Sequence, residues 1–149
     1  MKIEKSIVIN RDSMDLYNYL RITRNQDNFS TWNMADPAKK TTSKGTDGTV
    51  GFVYSWDSTD KNVGAGEQEL TGLTEGKRID YDIRFFRPMK NVAKASFIIS
   101  GESGKNSNVT WSFDSPSKFP FSLLTPIFKK MLGKDMAKSL DNLKSLMEK

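Results

Sequence analysis

Apolar and polar residues alternate in twos through most of this chain, and they shift to threes and fours near its start and over its last quarter. Residues 2–10 alternate with Ile3, Ile7 and Ile9 on one side, which predicts a first strand. The turn Asn10-Arg11-Asp12-Ser13 offers N-caps for a helix over residues 14–20, and a second short helix is expected over residues 25–32. Six strand patterns then follow. A weak one covers residues 38–43. Residues 49–56 place Val50, Phe52, Tyr54 and Trp56 on one face, and residues 63–74 are interrupted by Gly64 and Gly66, where a bulge or close backbone approach is expected. Residues 78–87 set Ile79, Tyr81, Ile83 and Phe85 against Asp80, Asp82 and Arg84. Residues 92–100 carry Ala95, Phe97 and Ile99 on one face, and residues 109–113 alternate again.

The last quarter predicts one long amphipathic helix, residues 125–147, with Thr125 as N-cap and Pro126 at its first position. Its apolar stripe rotates at Gly133, where a bend is expected. Leu124, Ile127, Phe128 and Met131 would then border the sheet interior, while Leu140, Leu143 and Met147 seal the core. The order β-α-α-β-β-β-β-β-β-α describes an α+β fold in a single domain, residues 1–149, with a curved antiparallel sheet around the terminal helix. A sheet that curves around one helix commonly leaves a cavity. Binding of something apolar is therefore expected.

Composition narrows the chemistry. With no His and no Cys, the chain can form no Ser-His-Asp or Cys-His arrangement, thiolate site or imidazole base. Any proton transfer would fall to Asp, Glu, Lys, Tyr or water. No cofactor and no metal site is called for. The first residues hold no apolar run long enough for a signal peptide and nothing approaches a membrane span, so a cytoplasmic location is expected. The net charge of +5 is spread along the chain, and Lys129, Lys130, Lys134 and Lys138 read as a solvated helix face. The aromatics belong to buried strand faces rather than beside basic residues, which argues against a nucleic-acid partner. Nothing here sets an oligomeric state.

Several local signatures resemble the START-like (helix-grip, SRPBCC) superfamily, and more narrowly its polyketide cyclase/dehydrase-type bacterial members. They are Trp32 after the paired short helices, Gly48-Thr49-Val50-Gly51 leading into Tyr54-Ser55-Trp56, and Gly64-Ala65-Gly66-Glu67-Gln68-Glu69-Leu70. Arg78-Ile79-Asp80-Tyr81-Asp82-Ile83, Val109-Thr110-Trp111, Met131-Leu132-Gly133-Lys134-Asp135-Met136 and Leu140-Asp141-Asn142-Leu143-Lys144 belong with them. The resemblance spans essentially the whole chain and implies a helix-grip fold with a hydrophobic cavity. It carries over no catalytic residue.

The expected ligand contacts are Trp32, Phe52, Tyr54, Trp56, Tyr81, Phe85, Phe97, Trp111, Phe128 and Met131, with a small hydrophobic or aromatic molecule as partner. The alternative is a cyclase or dehydratase-type enzyme using the same cavity, with Tyr54, Tyr81, Glu67 or Glu69 handling protons. Glu67 and Glu69 share one strand face, as do Asp80 and Asp82, but the Asp pair is out of phase with the apolar face and is expected to point to solvent on the face that also holds Arg78 and Arg84, where cross-strand charge pairing is the simpler account. Asp135 reaches the cavity if the last helix stays straight, and the surface if it bends.

Overall fold

A computed structural model describes residues 2–87, 90–103, 105–115 and 121–149, with the side chains of 102, 103 and 121–128 left undescribed. Seven strands form one sheet: β1 (Lys2–Ile9), β2 (Lys40–Lys44), β3 (Val53–Asp57), β4 (Ala65–Thr74), β5 (Arg78–Arg87), β6 (Asn91–Ser103) and β7 (Asn106–Asp114). Every neighbouring pair is antiparallel, in the order β1-β7-β6-β5-β4-β3-β2. The first two strands therefore occupy opposite edges. The segment between them, α1 (Ser13–Leu20), a 3₁₀ helix (Thr23–Asn28) and α2 (Thr31–Met34), carries the chain from one edge to the other. The expected second short helix is thus two shorter ones. Asp12 caps α1 by accepting from the Met14 amide at 3.2 Å, as its position in the turn predicts.

Alternation decides which face is buried. β7 buries Ser107, Val109, Trp111 and Phe113, β6 buries Ala93, Ala95, Phe97 and Ile99, and β5 buries Ile79, Tyr81 and Ile83. Register then aligns these residues into rows, Ile79 opposite Phe97 opposite Trp111, and Tyr81 opposite Ala95 opposite Phe113. On the other face Arg84 donates to Glu67 and Glu69, each at 2.8 Å, and Asp80 accepts from Arg78 at 2.8 Å.

Two strands start later than expected, and glycine explains both. Residues 49–52 form a turn closed by the Phe52 amide on the Thr49 carbonyl at 3.1 Å, with Gly51 at φ +99°, so β3 begins at Val53 and Val50 is exposed. In β4 the pairing with β5 shifts between Ala65 and Gly66, where the backbones crowd together. A β-carbon on Gly66 would stand 2.5 Å from the Arg84 carbonyl oxygen and 2.7 Å from the Trp56 ring. Gly66→Ala is therefore expected to lower stability by about 1–3 kcal/mol, the usual cost of forcing atoms into a packed site. A urea-denaturation midpoint equal to that of the unmodified protein would contradict this contact.

The terminal helix α3 runs from Phe121 to Met147, so Thr125 and Pro126 lie inside it rather than at its start. It is continuous through Gly133. That glycine answers a packing need: its missing side chain makes room for the Lys5 stem, which a β-carbon would meet at 3.0 Å, and for Ile3 at 3.8 Å. Lys5 has the parity of inward-facing Ile3 and Ile7, yet its exposed head passes the helix at this point. Leu132, Met136, Leu140, Leu143 and Met147 are buried against the sheet, and Lys129, Lys130, Lys134 and Lys138 are all exposed. Among the described residues no helix is long and apolar enough to cross a membrane.

Candidate functional site

The buried face of the sheet is not completely filled. Between it, α3 and the short helices lies a cavity of about 820 Å³, within the range of about 300–1,000 Å³ typical of ligand pockets. Its volume has a local cause. Ala95 sits on β6 between Tyr81 and Phe113, and its methyl group leaves space that a larger side chain would occupy. Trp32, Tyr54, Trp56, Tyr81, Phe85, Trp111 and Met131 all line this space, and Ile83, Phe113 and Leu132 add to its apolar wall. Met131 is 54% exposed, and with Lys61 and Asn62 from the β3–β4 loop it marks the mouth.

Two residues expected at the ligand do not reach the cavity. Phe52 is buried at the start of β3 beside the 49–52 turn. Phe97 is sealed behind the wall, stacked on Trp111 at 4.9 Å between centroids and edge-on to Phe29 at 6.1 Å. The side chains of Leu124, Ile127 and Phe128 lie outside the described residues. The remaining aromatics form two groups: Trp32 packs on Trp111 at 5.5 Å and on Phe113 at 6.1 Å, and Trp56 lies edge-on to Phe85 at 6.0 Å.

Polar groups gather in two places. Near α2, Asp27 on the 3₁₀ helix accepts from the Tyr54 hydroxyl at 2.6 Å and from the Asn33 amide at 3.0 Å. Lys39, one-tenth exposed, donates to the Asn33 carbonyl and stands 3.9 Å from Asp27. Burial, reinforced by Asp27, pushes the Tyr54 phenol well above its ordinary value of 10. Arg24 covers the Tyr54 ring from 5.3 Å. Asp135 of α3, half-buried, accepts from Trp32 Nε1 at 3.2 Å and lines the cavity, which is the outcome expected of a straight helix. Ser139, one turn further, accepts from the Thr31 amide at 2.9 Å and so ties α2 to α3.

The second gathering lies deeper. Tyr81 donates its hydroxyl to the Leu20 carbonyl at 3.2 Å, satisfying an end carbonyl of α1, and Thr23 and Gln26 face the same hydroxyl. Burial pushes the Tyr81 phenol above 10 as well. Neither phenol serves as a base near neutral pH. Glu67 and Glu69 lie on the opposite face, held by Arg84, and do not line the cavity. The proton-handling role expected of these two carboxylates therefore falls away, because the parity that pairs them also turns them outward.

Asp27, Gln26, Asn33 and Lys39 were not among the residues singled out from sequence. They occupy short, irregular segments without a readable period. A second depression of about 490 Å³, between β1 and α3, is lined by Lys2, Glu4, Lys5, Lys129 and Lys130 with Ile3 and Gly133. Lys2 there pairs with Glu4 at 3.2 Å. Among the described residues no group of three or more Asp or Glu could hold a metal ion.

A family model described as polyketide cyclase / dehydrase and lipid transport matches residues 1–148. Among solved structures the chain is similar to the Aha1 dimer from Colwellia psychrerythraea, with 15% identity, a TM-score of 0.67, and coverage of 99% of this chain and 96% of that one. It is similar to a protein from Mesorhizobium loti, with 11% identity, a TM-score of 0.70, and coverage of 98% and 96%. It also resembles DynU16, from the dynemicin biosynthetic locus, with 10% identity, a TM-score of 0.68, and coverage of 99% of this chain and 47% of that one. At these identities the likeness is one of fold. No curated protein matches the sequence.

Proposed function

The chain belongs to the polyketide cyclase / dehydrase and lipid transport family, and from that premise we propose that it binds one small hydrophobic or aromatic molecule between the sheet and α3. The observation that carries this reading is the 820 Å³ cavity with its wall of Trp32, Tyr54, Trp56, Tyr81, Phe85 and Trp111. Space of this size in a protein interior forfeits packing contacts, and an apolar occupant restores them. Burial at about 25 cal/mol per Å² of apolar surface supplies the affinity, while a few polar groups set orientation. The ligand enters beside Met131 and the β3–β4 loop.

A cyclase or dehydratase using the same space would have to rely on confinement. Holding a reactive chain in a productive conformation accelerates ring closure without an acid–base residue. Binding comes first in either case, and it is directly measurable. The neutral fluorophore N-phenyl-1-naphthylamine is expected to bind with one saturable site and a blue-shifted, enhanced emission. Mass spectrometry of an organic extract of protein purified from its native host then names the resident molecule. Linear, non-saturable fluorescence would overturn the reading.

A further inference from the structure

The deep end of the cavity is polar, uncharged and incompletely satisfied. Thr23 and Gln26 are 2% and 4% exposed, and Tyr81 is 1% exposed. All three line the cavity, far less exposed than Met131 at its mouth. Their convergence is built by the backbone: residues three apart on a 3₁₀ helix eclipse one another, so Thr23 and Gln26 present to the same side, where Tyr81 of β5 meets them. The Thr23 hydroxyl oxygen is itself sealed from the space and faces Tyr81, which leaves the Gln26 amide as the group with unused capacity. A primary amide offers two donors and an acceptor with two lone pairs, more than one contact with Tyr81 can use. The Tyr81 proton is committed to the Leu20 carbonyl, so towards the cavity its oxygen can only accept. Unmet buried polar groups of this kind cost about 1–3 kcal/mol each. A bound polar atom would recover that.

The charge pattern restricts which atom. The Asp47 carboxylate lies directly behind, accepting from the Thr23 amide at 2.7 Å and the Arg24 amide at 3.1 Å, and its negative field reaches Tyr81. An anionic group placed here would meet that field, while among the described cations that line the cavity Lys61 stands at the mouth and Arg87 is paired with Asp57. Lys39 stands in the other polar gathering, beside Asp27 and Asn33. Resting on the cavity-binding reading above, we infer that the ligand is an apolar or aromatic molecule bearing a neutral hydroxyl. That hydroxyl is seated against Gln26 and Tyr81, giving its proton to Tyr81 Oη or Gln26 Oε1 and accepting from the Gln26 amide.

Three probes with one ring system test this by calorimetric titration: naphthalene, 2-naphthol and 2-naphthoate. The unmodified protein is expected to bind 2-naphthol about tenfold more tightly than naphthalene, the yield of one or two net hydrogen bonds, and to bind 2-naphthoate most weakly. In Gln26→Leu the 2-naphthol advantage should shrink to about twofold or less while naphthalene affinity is retained or improved. The near-isosteric Gln26→Met should shrink the advantage in the same way, and it decides the matter if Gln26→Leu does not fold. Equal affinity for naphthalene and 2-naphthol, a preference for 2-naphthoate, or an advantage that survives both substitutions overturns the hydroxyl assignment and leaves cavity binding standing. Failure of all three probes to bind the unmodified protein overturns both.

Discussion

Replacing Trp111 by alanine is expected to lower folding stability by about 3–5 kcal/mol, the usual range for deleting a buried indole. Trp111 is 4% exposed and stands where three elements meet. It stacks on Phe97 of β6 at 4.9 Å, touches Phe29 after the 3₁₀ helix at 6.2 Å, and packs on Trp32 of α2 at 5.5 Å. Each such pair contributes about 0.5–1.5 kcal/mol beyond area burial. The void left by truncation would merge with the existing cavity, so the surroundings have little to collapse onto. Trp111→Phe keeps a ring on Phe97 and should cost less than half as much. The check is urea denaturation followed by circular dichroism, with the midpoint falling and the slope unchanged. A loss below about 1 kcal/mol would mean that Trp111 is not a keystone of the wall.

The second large effect is on binding. Ala95→Phe is expected to weaken N-phenyl-1-naphthylamine by at least about a hundredfold, or nearly 3 kcal/mol, while leaving the melting temperature close to its starting value. Ala95 is 5% exposed and lines the cavity from β6, so a phenyl ring there projects into the space a ligand would use. In a filled core the same change would overpack and cost about 1–3 kcal/mol. Into an empty cavity it adds apolar contacts instead. The two measurements together therefore distinguish empty space from core: lost binding with retained stability supports the cavity, whereas lost stability with retained binding refutes its placement.

Much of the fold is legible in the chain because the alternation is strict where strands are half-buried. Ile79, Tyr81 and Ile83 point inward and Asp80, Asp82 and Arg84 outward, as their parity requires. The outward set then pairs within β5, Arg78 with Asp80, and across to β4, Arg84 with Glu67. Legibility fails where no period exists. Residues 23–39 hold a 3₁₀ helix, one short α-helix and a loop, and their polar residues look like ordinary surface in sequence. Gln26 and Asp27 show why: adjacent in the chain, one faces the deep cavity and the other the Tyr54 hydroxyl. Gly133 shows a role that no local rule reveals, since it accommodates Lys5 from a strand far away in sequence.

Periodicity by itself determined the α+β order, the inward face of the regularly alternating strands β5, β6 and β7 and the aromatic character of the interior, because side-chain direction is a local consequence of backbone geometry. Only the tertiary structure decided which inward residues border empty space. Phe97 and Trp111 share a row and a face, yet one is sealed and the other lines the cavity, because that depends on the summed volumes of all the elements packed above the sheet. The same holds for the deep polar cluster. Thr23 and Gln26 meet Tyr81 only because the segment joining opposite sheet edges must cross the concave face.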